Sequence, residues 1–160
     1  LDAAGVAAAH GQLLGRGKLR QLGGSESPPE SKLRVLIEQL VAQSMQEPQA
    51  WQLRVLAREV LAPSSHLQVL FQDEALPKML LIKQLLSEIT RMPAEDPAVT
   101  RCLLNVITPC LMLLVGGRTF PGPLKEVFQM PRQAVADHLF HFAIGGLGAI
   151  AREYEKEAKS

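Results

Sequence analysis

Apolar residues along most of the chain recur at intervals of three and four, the spacing that places side chains on one face of an α-helix. Leu33, Leu36, Ile37, Leu40, Val41 and Met45 form the first such stripe. Ser27-Pro28-Pro29-Glu30 before it reads as a helix start, with Ser27 as N-cap, Pro28 in the first helical position and Glu30 placed to close a capping box. This helix is expected to run to about Gln46. Pro48 opens a second predicted helix that carries Trp51, Leu53, Val55, Leu56, Val60 and Leu61 and ends at Pro63. A long helix capped by Ser64 or Ser65 follows, with Leu67, Leu70, Phe71, Met79, Ile82, Leu85, Leu86 and Ile89. Pro77 lies inside it. Proline lacks an N–H, so the Asp73 carbonyl loses its intrahelical donor and a kink between two co-linear halves is expected.

Asp96-Pro97 repeats the cap-and-proline signal and starts the most apolar helix, residues 98–115. Val99, Cys102, Leu103, Val106, Ile107, Cys110, Leu113 and Leu114 cover a wide arc of it. Leu104, Leu111 and Met112 add apolar surface elsewhere, so burial on more than one side is expected. Pro109 within this helix deprives the Asn105 carbonyl of its donor; a kink beside Asn105 and Thr108 would either line a cavity or be satisfied locally. Gly116-Gly117 end the helix, and residues 118–129, with Pro121 and Pro123, read as a loop holding one short turn. The last helix is predicted from near Pro131 to about Tyr154. Val135, Leu139, Phe142, Gly146 and Ile150 share one of its faces, and Phe140, Ile144, Leu147 and Ala151 another. Gly145, Gly146 and Gly148 each cost a helix roughly 1 kcal/mol relative to alanine, so close approach of another helix is expected there. No segment alternates with a period of two for long enough to form a strand. The predicted fold is therefore all-α, a bundle of about six helices.

At the other end, the alanine-rich residues 1–10 look helical but have no N-cap, as if the chain entered in mid-helix. Gly11, Gly15, Gly17, Gly23 and Gly24, followed by Ser and Pro, read as a loop. With 160 residues, 47% hydrophobic and 21% charged, one folded domain is expected. A net charge of +1 gives no footprint for gripping nucleic acid, and Arg16, Lys18 and Arg20 lie among glycines as a solvated loop. Cys102 and Cys110 sit about 12 Å apart along one helix, too far for a mutual disulfide, and read as buried thiols of a reducing compartment. The longest apolar stretch, residues 102–115, is interrupted by Asn105, Thr108 and Pro109 and falls short of the roughly 18 to 20 residues that cross a bilayer. A cytoplasmic protein without membrane contact is expected.

Three segments carry a resemblance. WQLRVLAREVLAPS at 51–64, DEALP at 73–77 and ADHLFHFAIGGL at 136–147 resemble the C-terminal domain of TetR-type transcriptional regulators, in the subgroup of CecR-type proteins. The likeness extends over about residues 30–150. It implies a two-domain regulator in which an N-terminal helix-turn-helix domain binds operator DNA and a C-terminal domain binds an effector and dimerises. In that frame residues 1–29 would be the remnant of a linker helix with a flexible loop, and residues 30–160 the effector-binding and dimerisation domain. The DNA-reading segment would lie upstream. Repression relieved by a small molecule is the usual mode of such proteins.

The resemblance also assigns roles. In TetR-like proteins the two most apolar helices pack with their symmetry mates as a four-helix bundle, which gives Leu103, Ile107, Leu111, Leu114, Leu139, Phe142, Gly146 and Ile150 as candidate dimer contacts. The alternative is that both helices are central elements of a monomer. An effector pocket needs apolar walls and few polar anchors. Candidate walls are Met45, Trp51, Val55, Phe71, Met79, Ile82, Cys102, Val106 and Met112, and candidate anchors are Arg58, His66 and Asn105, each of which can equally be plain core. Arg58-Glu59 can instead serve as a structural ion pair.

Chemistry beyond binding finds little support. His138 and His141 beside Asp137 have helical metal-ligand spacing, but two histidines alone read as surface or interface residues, and neither a metal nor a cofactor is expected. There is no nucleophile elbow, phosphate-binding loop after a strand, or buried carboxylate pair, so the chain does not read as an enzyme. The partners expected are a second copy, a small apolar or amphipathic effector, and operator DNA through the upstream domain. The rival reading is a helical protein-interaction module with no small-molecule site.

Overall fold

A computed structural model of the chain describes residues 21, 24, 26–45, 58–62, 64, 71–116 and 119–160, with the side chains of Phe71 and Glu74 excepted. Among these residues there is no strand and the fold is all-α. Four α-helices dominate: α1 (Pro29–Ser44), α2 (Leu76–Thr90), α3 (Pro97–Gly116) and α4 (Arg132–Glu157). The predicted helix of residues 48–61 lies outside the described residues except for its last turn, where residues 58–61 are helical and the Ala62 N–H donates to the Arg58 carbonyl at 2.7 Å. Gln21 and Gly24, in the stretch expected to be a loop, are also helical.

Helix α1 begins one residue later than the sequence pattern suggested. Pro28 is the N-cap and Pro29 the first helical residue, and no side chain caps the end, so the expected Ser27–Glu30 capping box does not form. Two adjacent prolines set the extended approach and first helical φ themselves, and the Pro28 carbonyl accepts from Ser31 and Lys32 at 3.0 and 3.2 Å.

The break expected at Pro77 takes the form of a π-helical turn, Phe71–Ala75, that leads directly into α2. A widened turn just upstream of a proline is one way to absorb the missing donor and the clash of its ring with the preceding turn. Helix α2 ends where Arg91 turns left-handed at φ 57°. Thr90 donates its hydroxyl to the Leu86 carbonyl, Ser87 to that of Met92, and the buried Met92 pins the turn to the core.

Asp96 caps α3 as its sequence predicts, its carboxylate accepting from the Ala98 N–H at 2.8 Å. At the far end the Phe120 ring lies where a Cβ on Gly116 would sit and packs against Phe128 with ring centres 5.9 Å apart. Residues 122–129 are not a loop with one turn: Gly122–Gln129 is an eight-residue 3-10 helix, entered through Gly122 at φ 60°.

Helix α1 lies at the centre, against α2, α3 and most extensively α4. Leu33, Leu36, Ile37, Leu86, Met92, Val99, Cys102, Cys110 and Leu114 are almost fully buried in the shared core. A polar latch joins α1 to α4: Arg34 donates to the Asp137 carboxylate at 2.6 Å, and its guanidinium lies 4.1 Å from the centre of the Phe140 ring. Gln133 donates to Glu38 at 3.1 Å and to Asp137 at 3.2 Å.

Helices α3 and α4 are both long and apolar enough to cross a bilayer, which corrects the inference drawn from residues 102–115 alone. The helix extends beyond that stretch at both ends, and interruptions by Asn, Thr and Pro do not lower its overall apolarity enough. Half of α3's most apolar window is buried within the protomer, as in a core helix, but only 17% of that of α4.

Candidate functional site

The inner side of α3 does not close completely on α2. Between them lies a cavity of about 250 Å³, completed by Leu40 of α1 and by Val60 and Leu61 of the 58–61 turn. From α2 and the turn before it come Ala75, Lys78, Met79 and Ile82. Helix α3 supplies Thr100, Leu103, Leu104, Ile107, Thr108, Cys110 and Leu111. The walls are overwhelmingly apolar. Lys78 is the one charged residue among the described lining residues, and it is itself only 5% exposed. The exposed Leu61 and Leu104 contribute to the same walls.

The polar groups of α3 are largely spent on the helix. Thr108 donates to the Leu104 carbonyl at 2.7 Å, and the Cys110 thiol points to the Val106 carbonyl at 3.8 Å. Burial pushes the Cys110 thiol up to about 12, from an ordinary value of 9.0. Cys102 is raised for the same reason, against an opposing pull from the Arg101 charge. Both thiols are free and, with raised pKa values, protonated at neutral pH, Cys110 in the cavity wall and Cys102 in the core.

The cavity lining overlaps in part with the set of residues expected to bind an effector. Met79 and Ile82 line the cavity. Val106 and Cys102 lie in the core, Met45 packs half-buried against it, and Asn105, Arg58 and the 42%-exposed Met112 face outward. Glu59 is engaged locally, accepting from the Ser64 N–H at 2.9 Å. Trp51, Val55 and His66 fall outside the described residues, as does the side chain of Phe71.

Three residues expected at a dimer contact, Leu103, Ile107 and Leu111, line the cavity, and Leu114 is in the core. The reason is that α3 is apolar on nearly every face. Periodicity alone does not select which stripe turns inward. The Lys78 position did carry a signal: it stands four and eight residues before Ile82 and Leu86, so a charge occupies the inward stripe of α2.

The α4 candidates divide differently. Leu139 and Ile150 are half-buried on its flanks, while Phe142 is 77% exposed and Gly146 is open. Cβ atoms placed on Gly145 and Gly146 would meet nothing within 4 Å. Within the protomer these glycines therefore do not serve the close helix approach expected of them. The outer face of α4 presents Phe142, Gly145, Gly146 and Ala149 flanked by the exposed His138 and His141. His141 Nδ1 is 2.8 Å from the Asp137 carbonyl, and among the described residues no group of side chains is arranged to hold a metal.

The described residues thus form an all-α domain with an apolar cavity between α2 and α3 and an exposed apolar face on α4. The sequence profile of the family described as the C-terminal domain of the HTH-type transcriptional dual regulator CecR matches residues 29–147, from the first residue of α1 into the middle of α4. The chain belongs to this family of transcriptional-regulator C-terminal domains. Comparison with curated proteins returns no match.

Proposed function

We propose that the chain is the effector-binding and dimerisation domain of a TetR-like regulator. The observation that carries the reading is the α2–α3 cavity, whose apolar walls and, among the described lining residues, single charged side chain suit a small apolar or amphipathic molecule. Residues 30–160 form the binding domain, and residues 1–29 lead into it from a DNA-reading domain upstream. With a net charge of +1 this chain leaves operator contact to that domain. The outer face of α4 pairs with the same face of a second copy, which gives Phe142 and the open glycines a partner. The same pairing accounts for an α4 that is apolar enough for lipid yet little buried in its own protomer. The protein works in the cytoplasm, where its DNA is.

The packing supports gating. Helix α1 touches both the cavity, through Leu40, and α4, through the Arg34 latch. A ligand that wedges α2 from α3 displaces α1 against α4 and changes the angle between the two copies. A ligand shifts such an equilibrium only by its difference in affinity for the two geometries. In the liganded geometry the reading heads no longer fit successive major grooves, and repression is relieved. The test is operator affinity of the protein carrying its DNA-reading domain, measured with and without a cavity ligand. Weakened operator binding on ligand addition is expected; unchanged affinity with the cavity saturated would refute gating.

A further inference from the structure

The α2–α3 cavity has a shape as well as a lining. Its α2 wall is Ala75, Lys78, Met79 and Ile82, at positions i, i+3, i+4 and i+7, and the α3 wall repeats that pattern from Thr100 through Leu103 and Ile107 to Leu111. Each wall is therefore one stripe along its helix. Only residues 91–96 join α2 to α3 and the two helices pack together, so they run antiparallel with these stripes facing. The space between them is a slot that runs with the helix axes.

At about 1.5 Å per residue, Thr100 to Leu111 spans about 16 Å and Ala75 to Ile82 about 10 Å. The volume of about 250 Å³ then leaves a mean cross-section of about 16 Å² over the longer wall and about 25 Å² over the shorter. Wall residues outside the described set can lengthen the slot but not shorten it, and at fixed volume a longer slot is a narrower one. Carbon atoms in contact lie roughly 4 Å apart, so an extended hydrocarbon chain takes up roughly 16 Å². A cage several carbons wide in both directions needs several times that section. At about 30 Å³ for each water-sized atom, the volume encloses roughly eight heavy atoms. With carbon bonds of about 1.5 Å, eight carbons in a row extend about 9 Å, close to the length of the α2 wall.

We infer that the ligand of this cavity carries an unbranched hydrocarbon chain of about eight carbons, laid lengthwise between α2 and α3 along Leu103, Ile107 and Leu111. The inference rests on the cavity being the effector site. The slot selects by shape, whatever the head group.

The test titrates 1-alkanols from 1-pentanol to 1-decanol, and cyclooctanol, into the 160-residue chain and follows the methyl signals of Met79 and Ile82 by NMR. Affinity is expected to rise about fourfold with each added methylene up to about eight carbons and then to level off. Cyclooctanol has the carbon count of 1-octanol in a compact body, and is expected to bind on the order of tenfold or more weakly, as if two or more methylenes stayed outside. Ala75→Leu fills one end of the slot and is expected to end the gain at a shorter chain while leaving 1-pentanol binding in place. A gain that stops before 1-heptanol, cyclooctanol binding as tightly as 1-octanol, or an Ala75→Leu chain that weakens every alcohol alike overturns the lengthwise chain and leaves the cavity site intact. Failure of every alcohol to shift either methyl overturns the effector cavity as well. The series on the unaltered chain decides the matter even if the variant does not fold.

Discussion

Phe142 offers the sharpest perturbation of the proposed pairing. Its side chain is 77% exposed in the protomer, so about three-quarters of the ring is available for a partner to cover. Complete burial of phenylalanine contributes about 1.5–3 kcal/mol, which makes the uncovered share worth about 2 kcal/mol per copy. A two-fold interface counts each residue twice, giving about 4 kcal/mol for Phe142→Ala. At about 1.4 kcal/mol per decade, that is a loss of roughly a thousandfold in dimer affinity. The protomer itself should barely notice, since an exposed side chain on a helix changes stability by about 0.5 kcal/mol or less. Gly146→Ala sharpens the contrast: with nothing within 4 Å of the new Cβ, it should stabilise α4 by up to about 1 kcal/mol and yet loosen the pair if the glycine is a contact. Sedimentation equilibrium across a wide concentration range reads the affinity, and urea denaturation reads the protomer. An unaltered chain that stays monomeric at high micromolar concentration, or a Phe142→Ala dimer of undiminished affinity, would refute the reasoning.

Three further outcomes are expected. Leu86→Ala, at a position with 0% exposure in the middle of α2, should cost about 2–5 kcal/mol by urea denaturation. Removing Arg34 or Asp137 should show a coupling of about 0.5–1 kcal/mol in a double-mutant cycle, kept small because both side chains are more than a third exposed; Arg34→Lys should lose the contact with Phe140 as well. Cys110 has its folded pKa raised above the unfolded value of 9.0, so the folded state holds the proton longer and stability falls as pH rises from about 9 towards 12. Comparing Cys110→Ala with the unaltered chain at pH 8 and pH 10.5 isolates this contribution: the variant should lose less stability over that interval, and an identical slope would contradict a buried, protonated thiol.

Local chemistry was the most legible part of the sequence. Asp96-Pro97 determines the start of α3 because a carboxylate can reach the Ala98 N–H and a proline needs no acceptor there. Pro77 announced an interruption but not its kind, since a proline tells only that a donor is missing, and whether the chain kinks or widens into a π turn depends on what packs outside. The Ser27 cap was misread because two prolines in succession offer two registers for the same helix start. The 3-10 helix at Gly122–Gln129 was hidden by glycine and prolines that suit an open loop as well as a tight helix.

The cavity was legible as a class but not as a set of residues. Two apolar helices predicted excess hydrophobic surface, and the structure divides that surface between a cavity on α3 and an outer face on α4. On α3 the buried Leu103 and Leu111 and the exposed Leu104 and Met112 are all apolar, so no pattern along the chain distinguishes the buried stripe from the exposed one. The distinguishing residue was on the other wall. Lys78 interrupts the inward stripe of α2, and a charge at such a position is more informative than any apolar neighbour.

Occupancy of the cavity is most directly measured by methyl NMR of the chain labelled at methionine and isoleucine, titrated with 1-octanol. Met79, Ile82 and Ile107 line the cavity, whereas Ile37 is buried in the α1 core and Ile150 lies on the flank of α4. Saturable shifts at the first three, with Ile37 and Ile150 unmoved, are expected of a ligand between α2 and α3. Shifts confined to α4, or none at any of the five, would contradict an effector site in this domain.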